Sequence, residues 1–464
     1  MNRLLACAIA LVIAFPASAQ NDVPEVTRTY AVTGATVVPA PGQLIDNATI
    51  VIRDGLIEAV GAGVSVPPDA VVIRADSLFA YAAFIDGLSH VGIPEPVDDN
   101  EPRPDDPGNP GYERAGVQPD RSAAELIEPD HNSIEAHRSA GFATANVVPH
   151  GRMLPGSATI ATLAPPAPTW LRKDNAMFAT FRGGSRVYPG TSVGVMAHYR
   201  QLYREAERHQ QWQSAYERNP NGLSHPPGDA VLESFFPVIA GTRPVVYHAN
   251  SALEMQRAVR LKNELGFEVV IAGATEASEI IDQIVATDVP LILSVELPEE
   301  EKEEKADTTV ADTTAAPPVA FDPTFVSQSQ ADAEDERENL EARRRDVRQR
   351  YLETAAALEK AGIEFGFAGI DVDADEILPN VRKMVEAGLS EEAALAALTT
   401  NNARILGVDS AVGTLEAGKL AHVVITDGPL FDEDTKIRYV FVLGHPTEFE
   451  ASERDDNDDD DGQK

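Results

Sequence analysis

The sequence predicts an α/β fold, in which a (β/α)8 barrel of the TIM type is joined to a small β-sheet (sandwich) domain built from both chain ends. Apolar strand-like runs alternate with helix-like stretches over roughly 300 residues, the pattern of a parallel α/β fold of barrel length. Short strands occur near each end, and neither set is large enough to bury a core alone. The 464 residues are 43% hydrophobic, which is enough for a large core.

The strands near the two ends predict one composite sheet domain made of residues 28–79 and 400–446. Near the N-terminus, β-branched residues flank the Asp54-Gly55 pair, which favours an antiparallel hairpin because glycine accepts the positive φ of the turn. Near the C-terminus, residues 422–426 and 437–444 are strand-like. We expect these strands to pair with the N-terminal ones because each set needs a partner to bury its apolar face.

The barrel is predicted to occupy residues 80–399. Its strand-like runs are apolar and short, and they include residues 84–85, 143–148, 245–247, 269–271 and 290–293. Helix-like stretches separate them, among them residues 252–265, 277–286 and 378–387. Reactive residues are expected at the carboxyl ends of the strands, where barrels carry their chemistry.

The first 19 residues predict a signal peptide. A short basic start is followed by the apolar stretch 4–15 and by Ala17-Ser18-Ala19, a small-residue cleavage site. The twelve apolar residues are too few to span a bilayer, which takes about 20. The product is therefore expected to be exported, to the periplasm or the extracellular medium. The one cysteine, Cys7, lies in this leader, so the mature chain is expected to have no disulfide and no thiol ligand.

The charge of the chain argues against a nucleic-acid partner. Asp and Glu number 74 against 38 Lys and Arg, a net charge of −36, which repels phosphate backbones. No run after the leader approaches the roughly 20 apolar residues of a membrane span. We therefore expect a small-molecule substrate, no nucleic acid and no membrane span.

Two segments look like additions to the domains. Residues 299–330 begin with a charge run and a Thr/Ala/Pro-rich stretch, which predicts a disordered insertion in the barrel, and a charged helix is expected over residues 331–361. Residues 447–464 are dominated by acids and are expected to form a disordered tail.

Four motifs, in order along the chain, resemble the amidohydrolase superfamily and in particular its exported imidazolonepropionase-like branch. They are NATIVIRDGLIEAVG at 47–61, FIDGLSH at 84–90, TNNARILG at 400–407 and GTLEAGK at 413–419. The resemblance implies a metal-dependent hydrolase barrel with a sheet domain made from both chain ends.

The resemblance also implies a metal site, and two of its ligand positions are changed here. The family commonly holds its metal with a His-x-His pair after strand 1, and alternate strand residues can aim both imidazoles at one ion. His90 matches the second histidine, but Leu88 stands at the first. At the strand 6 position, Gly273 or Ala272 replaces a histidine.

Three ligands of the family pattern are present: His90, His248 and Asp371. Three protein ligands and a water make a workable site for a divalent metal, with zinc the expected ion. The family's aspartate also takes a proton from the metal-activated water, and the resemblance assigns this catalytic role to Asp371. The loop after strand 2 resembles the branch's pocket-lining loop, so His150 and Arg152 are predicted to contact the substrate. His131 and His137 lie six apart in a predicted helix and so do not share a face.

Two functions remain open at this point. In the first, the protein is an exported hydrolase that cleaves a non-peptide C–N bond, in a cyclic amide or a small peptide-like substrate, by metal-activated water. In the alternative, it is a metal-free pseudoenzyme of the same fold that acts as a binding or scaffold protein. Leu88 and Gly273 favour the alternative, whereas His90, His248 and Asp371 favour the enzyme.

Overall fold

The computed structural model describes residues 28–96, 104–298 and 323–449. The predicted signal peptide, residues 299–322 of the predicted insertion and residues 450–464 of the predicted tail lie outside this range.

Sixteen strands lie within the described residues. In chain order they are β1 (Thr29–Val38), β2 (Ile45–Arg53), β3 (Leu56–Ala62), β4 (Ala70–Arg74), β5 (Phe79–Ala82), β6 (Phe84–Ser89), β7 (Phe142–Val147), β8 (Gly156–Thr162), β9 (Thr169–Thr180), β10 (Val245–Ala249), β11 (Val269–Gly273), β12 (Leu291–Ser294), β13 (Phe365–Ala368), β14 (Val423–Thr426), β15 (Ile437–Val442) and β16 (His445–Glu448). The first two residues of the predicted tail therefore belong to β16.

Twelve α-helices lie in the same part of the chain. They are α1 (Tyr112–Ala115), α2 (Ala123–Leu126), α3 (Asn132–Ser139), α4 (Ser192–Arg218), α5 (Ala230–Glu233), α6 (Phe236–Ile239), α7 (Ala252–Leu265), α8 (Ile281–Thr287), α9 (Pro323–Lys360), α10 (Ala374–Glu386), α11 (Glu391–Leu398) and α12 (Thr400–Ile405), with a 3₁₀ turn at Ala277–Ile280. Helix α7 shows why such boundaries are local, because Ser251 and Glu254 form a capping box at its start and Gly266 ends it with φ of +82°. Within the described residues, none of these helices combines the length and the apolar character that a membrane span requires.

The strands from the two chain ends share one sheet, in the order β16-β15-β14-β5-β1-β2-β3, with β4 also paired to β1. The connection between the ends is the antiparallel pairing of β14 with β5, in which Val424 lies opposite Tyr81. Asp54 and Gly55, both with positive φ, make the turn from β2 to β3. The exact limits of the sheet domain stay a prediction.

The second sheet also has eight strands, in the order β6 to β13 along the chain. Neighbouring pairs are parallel except around β8, which is antiparallel to both β7 and β9. The predicted alternation of strand and helix therefore fails here. The connections on either side of β8 are short loops, and a parallel crossover needs a dozen or more residues.

The first and last strands of this sheet meet through a side chain of α12. The Asn402 amide nitrogen donates to the carbonyl oxygens of Ile85 in β6, at 2.7 Å, and of Phe367 in β13, at 2.8 Å. The two edge strands of this sheet thus lie next to each other, as the edges of a barrel sheet do.

Apolar side chains pack on both sides of this barrel. The inner cluster takes residues from strands all around the sheet, including Ile85, Leu88, Ile160, Val246, Val270, Ile292 and Ala368. The outer cluster joins the other faces of the strands to the helices, as with Phe84, Tyr199, Leu261 and Val381. The helix α9 begins at Pro323, eight residues before the predicted start of the charged helix at residue 331.

Candidate functional site

Six polar side chains lie at or just after the carboxyl ends of barrel strands or in the loop after β7. They are His90 after β6, His150 in the loop after β7, Arg182 after β9, His248 in β10, Glu296 after β12 and Asp371 after β13. Because the parallel strands end at one rim of the barrel, these residues share the face that carries chemistry in barrel enzymes.

A hydrogen bond to the backbone fixes the tautomer of His90. Its Nδ1 lies 2.7 Å from the Val148 carbonyl oxygen, which can only accept, so Nδ1 carries the proton and Nε2 keeps its lone pair. The ring stacks on His150, with the centroids 3.8 Å apart and the planes 25° apart. Burial and then the neighbouring His150 lower the pKa of His90 to about 4, so the imidazole is neutral at pH 7.

His248 projects from β10 beside Gly273 of β11. Burial lowers the pKa of His248 and outweighs the nearby Asp371 carboxylate, which raises it, so this imidazole is also neutral at pH 7. Gly273 has φ of +94°, and a Cβ there would lie 2.0 Å from Asn250 Oδ1 and 3.1 Å from His248 Nε2. The space that a side chain of residue 273 would need is therefore filled by Asn250 and His248.

Asp371 occupies a tight turn at the end of β13. The Val372 N–H donates to the Gly369 carbonyl at 3.1 Å, and Asp371 is the third residue of this four-residue turn, with φ of +61°. Glycine or asparagine is the usual choice for a positive φ at that position. The half-exposed carboxylate lies 3.9 Å from the Arg182 guanidinium, with Nη2 facing Oδ2. A strained backbone thus presents an acid next to a cation at the rim.

Arg182 and Glu296 belong to this cluster, and the sequence reasoning did not single them out. Burial raises the pKa of Glu296, and the Asp371 carboxylate raises it further, whereas Arg182 lowers it. Each residue comes two positions after the last residue of a barrel strand, β9 or β12. That position was the available signal, but neither strand end carries a motif that draws attention to it.

The two predicted substrate contacts have different surroundings. His150 lies in the cluster, stacked on His90, and burial lowers its pKa. The Arg152 guanidinium instead donates to the Gly183 carbonyl at 2.9 Å, and the Arg152 carbonyl accepts from Thr180 Oγ1 at 3.0 Å. Arg152 therefore ties its own loop to the loop that carries Arg182.

The described side chains do not fit a metal centre as they are placed. Among residues 28–96, 104–298 and 323–449, no group of three or more His, Cys, Asp or Glu side chains could hold a metal ion. Leu88 is fully buried among the apolar side chains inside the barrel, and Asn250 fills the space beside Gly273. The stacked rings of His90 and His150 lie in nearly parallel planes, so their nitrogen atoms do not converge on one point.

Comparison with known protein families finds a similarity in the C-terminal part of the chain. Residues 248–452 match the sequence pattern that defines the Amidohydrolase family, which generally uses divalent metals. The C-terminal part of the chain is therefore similar to this family, and the match begins at His248. No curated protein sequence resembles the chain closely enough to count as a relative.

Solved structures extend the likeness in fold to nine tenths of the chain. An amidohydrolase from Thermotoga maritima MSB8 is 20% identical, with a TM-score of 0.69, over 90% of this chain and 99% of that one. Phenylurea hydrolase B is 15% identical, with a TM-score of 0.51, over 90% and 96% of the two chains. A Xaa-Pro dipeptidase with bound methionine is 14% identical, with a TM-score of 0.50, over 91% and 100%. These neighbours imply a TIM barrel with a second domain.

Proposed function

We propose that the chain is an exported hydrolase of the imidazolonepropionase-like branch, which cleaves a non-peptide C–N bond in a cyclic amide or a small peptide-like molecule. The similarity to the Amidohydrolase family supports a hydrolase. The observation that carries the proposal is the Asp371 carboxylate, held in a strained turn at the barrel rim and 3.9 Å from Arg182.

Asp371 is the proton acceptor in this proposal. The oxygen of a water molecule bonds to the substrate's carbonyl carbon while the water proton passes to the Asp371 carboxylate. The proton then passes to the leaving nitrogen as the C–N bond breaks. A carboxylate in this role contributes about 10²- to 10⁴-fold to the rate.

Arg182 and the histidines complete the proposed site. The guanidinium beside Asp371 is suited to stabilise the negative charge that grows on the carbonyl oxygen. The neutral imidazole of His90 keeps an acceptor at Nε2, which can orient a donor group of the substrate. In this proposal, side chains from three different strand ends contact the amide group of a bound substrate.

The sequence predicts a zinc ion on His90, His248 and Asp371. Two imidazole nitrogens and a carboxylate are donors that zinc accepts. The described side chains do not form such a group, so the proposal gives the proton transfer and the charge stabilisation to side chains and routes no step through a metal.

The test is a turnover assay on the full mature protein. The panel is hydantoin, followed by the carboxylate that ring opening forms, and N-acetyl amino acids, followed by release of the amine. The metal content of the same sample is measured. We expect Asp371→Asn to lower the rate at least about 100-fold. Asp373→Asn, which changes an exposed carboxylate two residues away, is the matched control and should leave the rate unchanged. Equal rates for the two variants would refute the role of Asp371.

Export is the second part of the proposal and has its own test. N-terminal sequencing of the protein recovered from the periplasm or the medium should begin at Gln20. A protein recovered in the cytoplasm with Met1 at its start would contradict it.

A metal-free binding protein is the second candidate. Leu88 and Gly273 favour it, because a fully buried apolar residue and a glycine without free space stand where metal ligands are expected. In that case no member of the panel is turned over, and a panel compound that raises the melting temperature does so equally in Asp371→Asn.

A further inference from the structure

The Asp86 carboxylate is completely buried in β6, the first strand of the barrel, and it contacts the backbone just after β13, the last strand. Its Oδ1 accepts the backbone N–H of Gly369, at 2.9 Å, and that of Leu88, at 3.2 Å. The Gly369 bond joins two residues that are 283 positions apart in the sequence. Burying a carboxylate costs free energy unless its oxygens are hydrogen-bonded or paired. The folded state therefore depends on these two hydrogen bonds.

His137 of α3 faces the second oxygen of this carboxylate. Its Nε2 lies 3.4 Å from Asp86 Oδ2, an ion pair when the imidazole is protonated, and 3.5 Å from Ser89 Oγ. The Nδ1 proton is donated to the Ser133 carbonyl at 2.9 Å, which holds the ring to its helix. His137 is 5% exposed, so α3 closes the carboxylate off from solvent.

Gly369 is the first residue of the turn that contains Asp371. Its carbonyl accepts the Val372 N–H at 3.1 Å, and its own N–H is the one that Asp86 binds. A Cβ on residue 369 would lie 2.5 Å from Ile377 Cδ1 and 2.8 Å from Asp86 Oδ2. The close approach of Asp86 to the backbone therefore requires glycine at this position.

We infer that Asp86 is a positioning residue, which anchors the Gly369 N–H and thereby holds the 369–372 turn in the conformation that points the Asp371 carboxylate toward Arg182. The function of this anchor rests on the proposed role of Asp371 as proton acceptor. The anchor itself depends only on the hydrogen bonds. Asp371 needs it because a left-handed backbone conformation is unfavourable for a residue with a Cβ, and surrounding contacts must hold it.

The anchor can be tested by hydrogen exchange on the full chain without a substrate. In the wild type, the Gly369 and Val372 amides should exchange at least about 100-fold more slowly than exposed amides, because both are hydrogen-bonded. Asp86→Leu removes the acceptor and should speed exchange in this turn about ten-fold or more. Asp86→Asn keeps an Oδ1 acceptor and should restore slow exchange. If Asp86 only stabilised the core, Asp86→Leu would speed exchange throughout the barrel, and the recovery in Asp86→Asn would not be confined to residues 369–372.

The matched control is Asn401→Ala. Asn401 is also buried and its amide donates to the carbonyl of Phe365, at the opposite end of β13 from the turn. This variant should leave exchange at 369–372 unchanged. The inference is overturned if a folded Asp86→Leu exchanges like the wild type in the turn, or if its exchange rises evenly over the whole barrel. Fast exchange of Gly369 in the wild type would also overturn it, even if Asp86→Leu does not fold.

Turnover provides the second arm. If the proposed hydrolase activity is found, Asp86→Leu should lower kcat at least about ten-fold with KM within two-fold, because the acid is misplaced while the rim is intact. Asp86→Asn should recover most of kcat. If exchange behaves as expected but Asp371→Asn has no effect on turnover, the anchor stands and the proposed role of Asp371 fails.

Discussion

Thr144 and His422 lie 3.2 Å apart, Oγ1 to Nδ1, although 278 residues separate them in the sequence. Thr144 belongs to the barrel strand β7, and His422 directly precedes β14 of the sheet built from the chain ends. Both side chains are buried, and His422 Nε2 has no hydrogen-bond partner among the described residues. This contact links the two sheets at a point where water is excluded.

The burial of His422 predicts a loss of stability in acid. Burial lowers its pKa to about 3, from 6.5, so the unfolded chain binds a proton at a higher pH than the folded one. The stability contributed by neutral His422 is therefore present above pH 6.5 and is lost as the pH falls toward 3, at up to about 1.4 kcal/mol per pH unit. His422→Asn keeps a partner for Thr144 and does not titrate. Urea unfolding between pH 7.5 and 4.5 should show a smaller acid loss for this variant, and parallel curves would contradict the prediction.

Asp371 should reduce the stability of the fold in which it sits. Its φ of +61° is unfavourable for most residues but not for glycine. We expect Asp371→Gly to raise the free energy of unfolding by about 1 kcal/mol, and Asp371→Ala not to raise it. Denaturant titration of both variants measures this difference. A less stable glycine variant would mean that the contact with Arg182 outweighs the backbone strain.

Asn402 should be important for barrel closure. Asn402→Ala removes two hydrogen bonds and leaves the buried carbonyls of Ile85 and Phe367 with one partner fewer, at a cost of about 2 to 4 kcal/mol. Asn401→Ala removes one bond to a buried carbonyl, that of Phe365, and one from the partly exposed Arg404 guanidinium, and it should cost less. Both values come from urea unfolding. Equal losses would show that Asn402 contributes no more than its neighbour.

Introducing histidines at residues 88 and 273, where the amidohydrolase pattern has them, should not create a metal site. Gly273→His places a side chain at a positive φ and against Asn250, so we expect it to destabilise the chain by more than about 2 kcal/mol. Leu88→His buries an imidazole among apolar side chains at a similar cost. In the double variant Gly273→His/Asn250→Ala, the Asn250 side chain that would collide with residue 273 is removed. Metal analysis after zinc addition should find no ion in the single variants, and a stoichiometric ion in either would contradict this prediction.

Sequence patterns were most informative where local chemistry sets the structure. The hairpin at Asp54-Gly55, the strands of the chain ends and the ends of α7 follow from turn and capping residues, which act over a few positions. The antiparallel strand β8 was not predicted because residues 156–162, GSATIAT, contain one large apolar side chain and form no apolar run, although all seven are buried. Periodicity does not distinguish the direction of a strand.

The predicted site residues illustrate the same limit. His90, His248 and Asp371 can be found from their motifs, but the ring stack of His150 on His90 depends on a loop after another strand. Arg152 was predicted to contact substrate, and its guanidinium lies on the Gly183 carbonyl. The contribution of Arg182 and Glu296 follows only from where β9 and β12 end in space.

The sequence by itself determined the α/β class, the strands at both chain ends and the absence of histidine at residues 88 and 273, because composition, turn chemistry and residue identity are local properties. The tertiary structure decided that Asp86 of β6 accepts a hydrogen bond from the Gly369 N–H, in the turn after β13. It also decided that Arg182 lies beside Asp371. These contacts join residues up to 283 positions apart. Closure of the barrel brings them together, and no short-range pattern in the sequence records a distance set by the packing of the whole sheet.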